Sequence, residues 1–485
     1  RIAERAQRAR AASDVPAAGL IAELRPYQKD GVRFLRRLAA WETGGVLADD
    51  MGLGKTVQAT SLLVDRAPLG PQLVLAPTSV CFNWQRELAR FAPSLRVRAL
   101  ADAPSDGRAG FISSLMSGEV LVAGYALATS CAEAMLTTTF ATAVLDEAQA
   151  VKNAETLRAR LARDLKAQQK VALSGTPLEN HLGELWSIFR VVSPGLLGSQ
   201  ERFRKRFAIP IERDRSVKKR QELAQTLRPF LLRRTKGEVA RELPQRTEIV
   251  ADVELSEAER LLYEATRQAV LNDALDKSSA ENGGQDRRFR VLAGLTRLRL
   301  LACHPRLVDP DSPVPSAKLQ AVLRHIVDLQ DNGHRALVFS QFVKHLEIVK
   351  RALDEAKVPW LMLDGSTPAK EREKLVDAFQ GGQATVFLLS LKAGGAGLNL
   401  TAADYVLHLD PWWNPAVEDQ ATGRAHRIGQ TQPVTVYRFV ARGTIEEQML
   451  AMHADKRDLV DSVLEGADAA GTMSVDDLVN LLRAH

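Results

Sequence analysis

At 485 residues the chain exceeds what one hydrophobic core serves, so two or three domains are expected; 45% hydrophobic and 26% charged residues is the balance of a globular protein with material for several cores. No apolar run reaches the ~18 residues that span a bilayer, and the three cysteines, Cys81, Cys131 and Cys303, are too scattered for a disulfide framework or a zinc site, which suits a reducing cytosol. The net charge of +6 is unevenly placed: residues 201 to 241 hold fourteen Lys or Arg against five Asp or Glu, 14 − 5 = +9, more than the surplus of the whole chain. Such a window is either a phosphate-binding surface or a pair of solvated helices whose arginines cluster.

The chain opens on RIAERAQRARAASD, which lacks the apolar centre of a signal peptide, and its first residue is Arg1 rather than Met, so a piece of a longer protein is expected. The stretch Gly44 to Gln58, GGVLADDMGLGKTVQ, starts as a strand at Val46-Leu47-Ala48, breaks into a glycine-bearing loop and continues with helical spacing from Lys55. That pattern makes a phosphate cradle. Gly52 and Gly54 let backbone N–H groups turn inward without a Cβ clash, and the helix N-terminus adds partial positive charge. Lys55 supplies a full charge and Thr56 a hydroxyl for a magnesium ion, as at the end of G-x-x-x-x-G-K-[ST]. The match is not literal, because Asp49 stands in place of the first glycine.

From residue 20 to 190 short β-rich runs alternate with helical stretches. Leu73 to Ala76, Val120 to Ala123, Ala143 to Leu145 and Val171 to Leu173 are near-continuously apolar, as strands buried on both faces are, so a parallel sheet covered by helices is expected. Ligands of open α/β sheets gather at the carboxyl ends of the strands. Two of these runs deliver chemistry there, one Asp146-Glu147-Ala148-Gln149 and the other Ser174-Gly175-Thr176-Pro177. Downstream of a phosphate loop, Asp146 is suited to hold magnesium and Glu147 to polarise the water that attacks a γ-phosphate. Ser174 and Thr176 are short hydroxyls fit to relay the phosphate state to a neighbouring domain, or equally to build the turn itself.

Between about 190 and 310 the composition turns helical and charged, with a capping-box spacing at Ser256 and Glu259 and a loop-like stretch from Ser278 to Gly284. Four prolines among the eleven residues 305 to 315 read as an interdomain linker. Strand and helix patterns then resume, with runs at 336–339, 361–363, 386–389, 406–409 and 434–437, giving a second α/β domain without a phosphate loop. It carries Gly394-Gly395-Ala396-Gly397-Leu398-Asn399-Leu400 and Gln420-Ala421-Thr422-Gly423-Arg424-Ala425-His426-Arg427. On a helix Arg424 and Arg427 share a face, either as an ordinary surface pair or as two guanidinium groups offered to a γ-phosphate.

Taken together these motifs resemble the motor of the SWI/SNF-type ATPases, the double-stranded-DNA translocase branch of the superfamily-two helicases, over roughly residues 20 to 460. The resemblance rests on Leu24-Arg25-Pro26-Tyr27-Gln28, on Asp49 to Thr56 with Asp50 where Glu is usual, on Pro77-Thr78 with Trp84, and on Asp146 to Gln149. It rests further on Leu227-Arg228-Pro229-Phe230-Leu231-Leu232-Arg233-Arg234-Thr235-Lys236 running on to Glu242-Leu243-Pro244, on Asp410-Pro411-Trp412-Trp413-Asn414-Pro415, and on Arg427-Ile428-Gly429-Gln430. A fold of two RecA-like parallel-sheet lobes with helical insertions is implied: an N-terminal extension 1–19, a first lobe 20–190, helical insertions 191–304, a linker 305–317, a second lobe 318–455 and a helical tail 456–485.

The resemblance also implies roles. Gln28 recognises adenine; Asp50, Met51, Gly52, Leu53, Gly54, Lys55 and Thr56 form the ATP loop; Thr56 and Asp146 hold Mg2+. Gln149 reaches toward the γ-phosphate, Gln420, Arg424 and Arg427 complete catalysis, and Ser174, Thr176 and Gly397 couple the lobes. Thr78, Trp84, Arg204, Lys205, Arg206 and Trp413 face DNA. The implied activity is ATP-dependent translocation on double-stranded DNA that remodels or displaces bound protein without strand separation. An RNA-remodelling helicase and an ATP switch on a protein partner are the alternatives. The Gln at 149 favours a bacterial or archaeal member, cytoplasmic and nucleoid-associated, whereas a eukaryotic one would be nuclear; no membrane role is expected.

Overall fold

The computed structural model of the chain describes residues 2–175, 181–240, 243–275, 284–391 and 398–452. Thr176, Gly394 to Gly397, Glu242, most of the loop from Ser278 and the tail 456–485 lie outside the described residues. The chain divides into two compact units, with the break in sequence between Glu242 and Leu243.

The first unit is built on β1 (Gly45–Leu47), β2 (Gln72–Ala76), β3 (Arg96–Ala99), β4 (Glu119–Gly124), β5 (Thr139–Asp146), β6 (Lys166–Leu173) and β7 (Leu231–Leu232). They form a seven-stranded sheet in the order β3-β4-β2-β5-β6-β1-β7 in which every neighbouring pair is parallel. All residues of β1, β2 and β4 are buried, which is why these strands read as unbroken apolar runs. Helices close over both faces. Thr78–Phe91 buries Val80, Trp84 and Leu88, four residues apart on one stripe.

The second unit contains β8 (Arg246–Val253), β9 (Ala336–Ser340), β10 (Trp360–Leu363), β11 (Val386–Ser390), β12 (Tyr405–His408) and β13 (Val434–Ala441). Their order is β10-β11-β9-β12-β13-β8, again parallel throughout. One face packs around Phe339, Phe379 and Phe387 and the other around Val338, Leu346, Val349 and Leu353. The helices Glu257–Leu275 and Gly284–Cys303 share a further cluster with Ala441, Ile445 and Met449. Among the described residues no helix is long and apolar enough to cross a membrane.

The expected fold class is observed, but its boundaries move. The span 191–304 is not a purely helical insertion, since it contributes β7 to the first sheet and β8, with the two long helices, to the second unit. Nor is 305–317 a linker between units. Pro305 is buried at the start of a 3-10 turn, Pro305–Leu307, and Arg306 Nε donates to the Ser312 carbonyl at 3.2 Å. Ser316 Oγ donates to the Cys303 carbonyl, and the Ser256–Glu259 capping box extends here, with Glu259 Oε1 accepting from the Ala317 N–H at 3.0 Å. The strands missed by pattern, β3, β7 and β8, all lie at sheet edges: β3 and β7 close the first sheet and β8 closes one side of the second. Edge strands keep one side in solvent and so lack the apolar run that marks central ones.

A Cβ added at Gly44 would lie 2.2 Å from the backbone oxygens of both Lys170 and Val192, whereas one at Gly110, within the helix Arg108–Ser113, meets nothing within 4 Å. Gly44→Ala should therefore cost about 3 kcal/mol or more by overpacking, and Gly110→Ala should be neutral or stabilise by roughly 0.5–1 kcal/mol. Calorimetric melting of both variants checks this, and wild-type melting of Gly44→Ala would contradict the close approach.

Candidate nucleotide site

β1 delivers the loop 48–54 and then the helix Lys55–Arg66. Gly52 and Gly54 adopt φ of 85° and 75°, the left-handed region that glycine enters without strain, and Gly54 caps the helix. A Cβ at Gly54 would also sit 2.5 Å from Gln28 Nε2. Lys55 Nζ donates to the carbonyls of Asp49 at 2.6 Å and Asp50 at 3.2 Å. Burial lowers its pKa, while Glu147, Asp49, Asp146 and Asp50 pull the other way and favour the charged ammonium. Thr56 follows on the first turn of the same helix. Met51 approaches the second motif closely, for a Cβ at Gly175 would lie 2.7 Å from Met51 Cγ.

Gln28, on the helix Pro26–Ala40, is buried and tied to the loop: its Oε1 accepts from the Arg25 N–H at 3.0 Å and its Nε2 donates to the Leu53 carbonyl at 3.1 Å. Tyr27 Oη donates to the same carbonyl at 3.0 Å. Asp49, the residue that breaks the loop consensus, is fully buried, and Arg234 meets it with Nε on Oδ1 at 2.8 Å and Nη2 on Oδ2. The Asp50 N–H donates to the Arg234 carbonyl and the Lys236 N–H to Asp50 Oδ2, each at 2.9 Å. Neither Arg234 nor Gln58, which also touches Asp49, was singled out from sequence as part of the site. The signal was there in an acidic residue at a position whose strand neighbours are all apolar.

β5 ends at Asp146 and β6 at Leu173, so Glu147, Gln149 and Ser174 emerge beside the loop. Gln149 Nε2 donates to Glu147 Oε2 at 2.9 Å, and Ser174 Oγ donates to Gln149 Oε1 at 3.1 Å. The Ser174 N–H reaches the Leu47 carbonyl of β1 at 3.2 Å. Glu147 stands at φ 47°, ψ 58°, a left-handed conformation that costs a non-glycine residue on the order of 1 kcal/mol or more and clusters at functional sites. Asp146 is held on three sides: Trp84 Nε1 donates to Oδ2 at 2.7 Å, the Glu147 N–H to Oδ1 at 2.9 Å, and Tyr125 Oη to the main-chain carbonyl at 2.9 Å. Burial first, and the Glu147 carboxylate second, push the Asp146 pKa up, against the hydrogen bond from Trp84 and the charge of Lys55. A divalent cation relieves such crowded negative charge, and the hard oxygens of Asp146 and Thr56 suit Mg2+.

Trp84 does not face DNA. It is fully buried on the inner stripe of its helix and spends its only donor on Asp146, so the expected contact is corrected to a supporting one. Thr78, the first residue of that helix, is exposed. Arg204, Lys205 and Arg206 are exposed on one π-helical turn, Arg204–Ala208, where Lys205 reaches Glu201 at 2.7 Å and Arg206 pairs with Glu222. The basic window is not one surface, because Arg220 is fully buried and Arg234 is turned into the loop.

In the second unit Gln420 lies on the helix Pro415–Thr422, but Arg424 and Arg427 do not share a helical face. Gly423 caps the helix, and the arginines occupy turns in which Arg424 N–H bonds Ala421 and Arg427 N–H bonds Ala425. Arg424 is 4% exposed, its carbonyl accepts from the Leu400 N–H at 3.1 Å, and Arg427 Nη1 donates to the Leu398 carbonyl at 3.4 Å. Gln430 Nε2 fixes the turn through the carbonyls of Thr401, Ala403 and Ala425. Trp413 is half-buried, and the Arg299 guanidinium lies 5.4 Å from each of the Trp412, Trp413 and Phe342 rings. Cys303 is not isolated: with His345 and Asp410 it forms the one group of possible metal ligands among the described residues, all buried and within 4.8 Å. Burial raises the Cys303 thiol and takes His345 down to about 3, and it also raises the Asp410 carboxyl, against the hydrogen bond from Ser340 and the charges of Arg299 and Lys318.

Comparison with known proteins gives two family matches, the SNF2-related domain over residues 27–307 and the helicase conserved C-terminal domain over 317–429. YwqA of Bacillus subtilis, provisionally named an ATP-dependent helicase/translocase, is 41% identical over 471 residues, 94% of this chain and 50% of that protein. A zebrafish protein, chromodomain-helicase-DNA-binding protein 1-like from Danio rerio, is 38% identical over 461 residues, 91% of this chain and 44% of its own. The chain thus spans about half the length of the curated relatives it matches. A solved structure, the Sulfolobus solfataricus SWI2/SNF2 ATPase core in complex with dsDNA, is 33% identical and covers 93% of this chain and 95% of that one, with a TM-score of 0.47.

Trp84 Nε1 donates to Asp146 Oδ2, so Trp84→Phe should loosen that carboxylate while keeping an aromatic ring in the core. Loss of such a supporting bond costs about 10-fold in metal affinity. The Mg2+ concentration for half-maximal binding of a fluorescent ATP analogue should rise by that factor; an unchanged Mg2+ titration would remove Trp84 from the site.

Proposed function

The chain belongs to the SNF2-related family, and from that membership we propose that it is an ATP-driven motor on double-stranded DNA. It tracks along the intact duplex and displaces or remodels protein bound there. The observation that carries the reading is the cluster at the carboxyl ends of β1, β5 and β6, where Lys55 faces Asp146 and Glu147, and Glu147 is tied through Gln149 to Ser174. An Asp-Glu pair beside a phosphate loop is the equipment of nucleotide hydrolysis.

In this reading the loop N–H groups and Lys55 bind the β- and γ-phosphates of ATP, and Gln28 reads the adenine. Thr56 and Asp146 hold Mg2+, which when bound neutralises phosphate charge. Glu147, oriented by Gln149, polarises the attacking water. Gln420, Arg424 and Arg427 act on the developing phosphate charge, and Ser174, with Thr176 and Gly397, couples hydrolysis to movement. DNA as the track is supported by the name of the zebrafish relative and by the exposed basic turn at Arg204, Lys205 and Arg206. Phosphate contacts position a protein without reading sequence, so little base preference follows. Thr78 and Trp413 are the further candidates for backbone contact, and a bacterial or archaeal nucleoid is the fitting location.

ATP turnover with duplex DNA, single-stranded DNA, RNA or no polymer tests the reading. Duplex DNA should stimulate most, and the effect should weaken with added salt as counterion release is lost. Preferential stimulation by RNA would make the chain an RNA helicase, and indifference to every polymer would make it a protein-directed switch. Lys55→Ala should abolish nucleotide binding and turnover together, whereas Glu147→Gln should still bind ATP without hydrolysing it.

Replacing Arg424 or Arg427 with Ala should cut turnover by roughly 10³-fold or more while nucleotide affinity changes far less. Charge reversal at Arg204, Lys205 and Arg206 together should raise the DNA concentration for half-maximal stimulation. Equal half-stimulation by wild type and the triple variant at low salt would reduce that turn to solvated surface.

A further inference from the structure

Arg234 links the basic segment to the phosphate loop through contacts to Asp49, Gln58 and Tyr27. Its guanidinium brackets the fully buried Asp49 carboxylate, donates from Nη2 to Gln58 Oε1 at 2.9 Å and from Nη1 to the Tyr27 carbonyl, and lies 5.2 Å from the Tyr27 ring centroid. Space has been left for this arrangement: a Cβ at Gly31 would fall 1.7 Å from Gln58 Oε1 and 2.9 Å from Arg234 Nη2. The backbone runs alongside. The Ala48 N–H donates to the Leu232 carbonyl at 2.7 Å, the Asp50 N–H to Arg234 at 2.9 Å, and the Lys236 N–H to Asp50 Oδ2 at 2.9 Å, so pairing continues past β7 into the loop.

The consequence lies at Lys55. The carbonyl of Asp49 accepts from Lys55 Nζ at 2.6 Å while its carboxylate is held by Arg234, so one residue is gripped from both sides. Tyr27, whose carbonyl Arg234 holds, places its hydroxyl on Leu53, and the next residue, Gln28, places its amide there too. Arg234 therefore holds one end of the loop directly, at Asp49, and bears on the other, at Leu53, through Tyr27. It sits seven residues beyond the helix Val217–Leu227, whose Lys219 and Glu222 join Arg206 of the exposed basic turn in one ion-pair cluster. Asp49 has no exposure through which water could replace a lost partner, and an unpaired buried carboxylate is severely penalised, so the loop must follow Arg234 when the segment shifts.

We propose that Arg234 is a positioning residue that sets the shape of the phosphate loop and transmits to it the state of the basic segment before it. The part concerning DNA rests on the function proposed above; the part concerning the loop does not. Removing the positive charge leaves Asp49 unmatched, whereas replacing both partners with apolar groups of similar size is tolerated in buried ion pairs. That difference separates a positioning role from a structural one.

The test uses the full chain as Arg234→Lys and as the double variant Asp49→Leu/Arg234→Met, followed by melting temperature, affinity for a fluorescent ATP analogue without polymer, and the ratio of turnover with and without duplex DNA. Arg234→Lys retains charge but not the fork, and should weaken analogue binding about 10-fold and reduce the DNA stimulation ratio while half-stimulating DNA stays at the wild-type concentration. The double variant should melt near wild type yet keep the weak binding and the low ratio. Wild-type affinity and stimulation in the double variant would overturn the proposal, since packing alone would then suffice. If Arg234→Lys does not fold, the double variant decides by the same readouts. If no polymer stimulates the wild type, the motor reading fails and the analogue affinity alone decides: weakened binding upholds the positioning role and unchanged binding refutes it.

Discussion

A carboxylate with no solvent around it must be met by donors at both oxygens, and Asp49 meets that requirement with a residue 185 positions later in the chain. The ion pair with Arg234 couples the turn after β1 to the segment after β7, the two strands that end the first sheet on one side. It explains why a loop that lacks the first consensus glycine is still held in shape. The position that glycine would leave to backbone freedom is here filled by a charge, and the charge is tied down. Lys55, Gln28 and Leu53 then inherit their places from the same anchor, since each is bonded to the loop or to the helix that Arg234 also touches.

Similar logic organises the second unit. Lys318, fully buried, donates to both oxygens of Glu446 and to the Leu409 carbonyl, joining the helix Ala317–Asp331 to the segment after β13. Arg438 on β13 reaches Glu418 on the helix Pro415–Thr422 and Glu248 on β8. Glu418 also accepts from the Trp412 N–H at 2.8 Å, so the edge strand, the tryptophan loop and the helix bearing Gln420 are joined by one network centred on the buried Arg438–Glu418 pair. Buried pairs of this kind contribute little net stability, but removing one partner is costly. Their effect is to make one arrangement of the connecting segments far better than its neighbours.

The acidic pair shows how support is built around a reactive group. Asp146 receives an indole N–H, a main-chain N–H and, at its carbonyl, a phenol, while Glu147 is turned into a left-handed conformation and steadied by Gln149. The strain at Glu147 aims its side chain, and the chain of hydrogen bonds to Ser174 connects it to the end of the adjacent strand. Ser174 thus bonds the end of β1 through its N–H and Gln149 through its hydroxyl.

The central strands, the phosphate loop, the acidic pair and the glycine positions could all be read from the sequence, because each depends on local pattern: apolar runs for strands buried on both faces, and glycine where φ is positive. Edge strands β3, β7 and β8, the course of 305–317 within the second unit, and the placement of Arg424 and Arg427 beyond a helix end could not, because partners distant in sequence decide them. Trp84 is the clearest case. Its helical spacing with Val80 and Leu88 marks a buried stripe, yet only the tertiary structure shows its N–H directed at Asp146, 62 residues away. Arg234 could be counted among the basic residues of 201–241 from its side chain alone, but whether a guanidinium faces solvent or a buried carboxylate depends on how two distant segments meet. The sequence by itself determined which groups carry charge and which runs must be buried; the tertiary structure decided which charges meet, since desolvation and pairing act through space rather than along the chain.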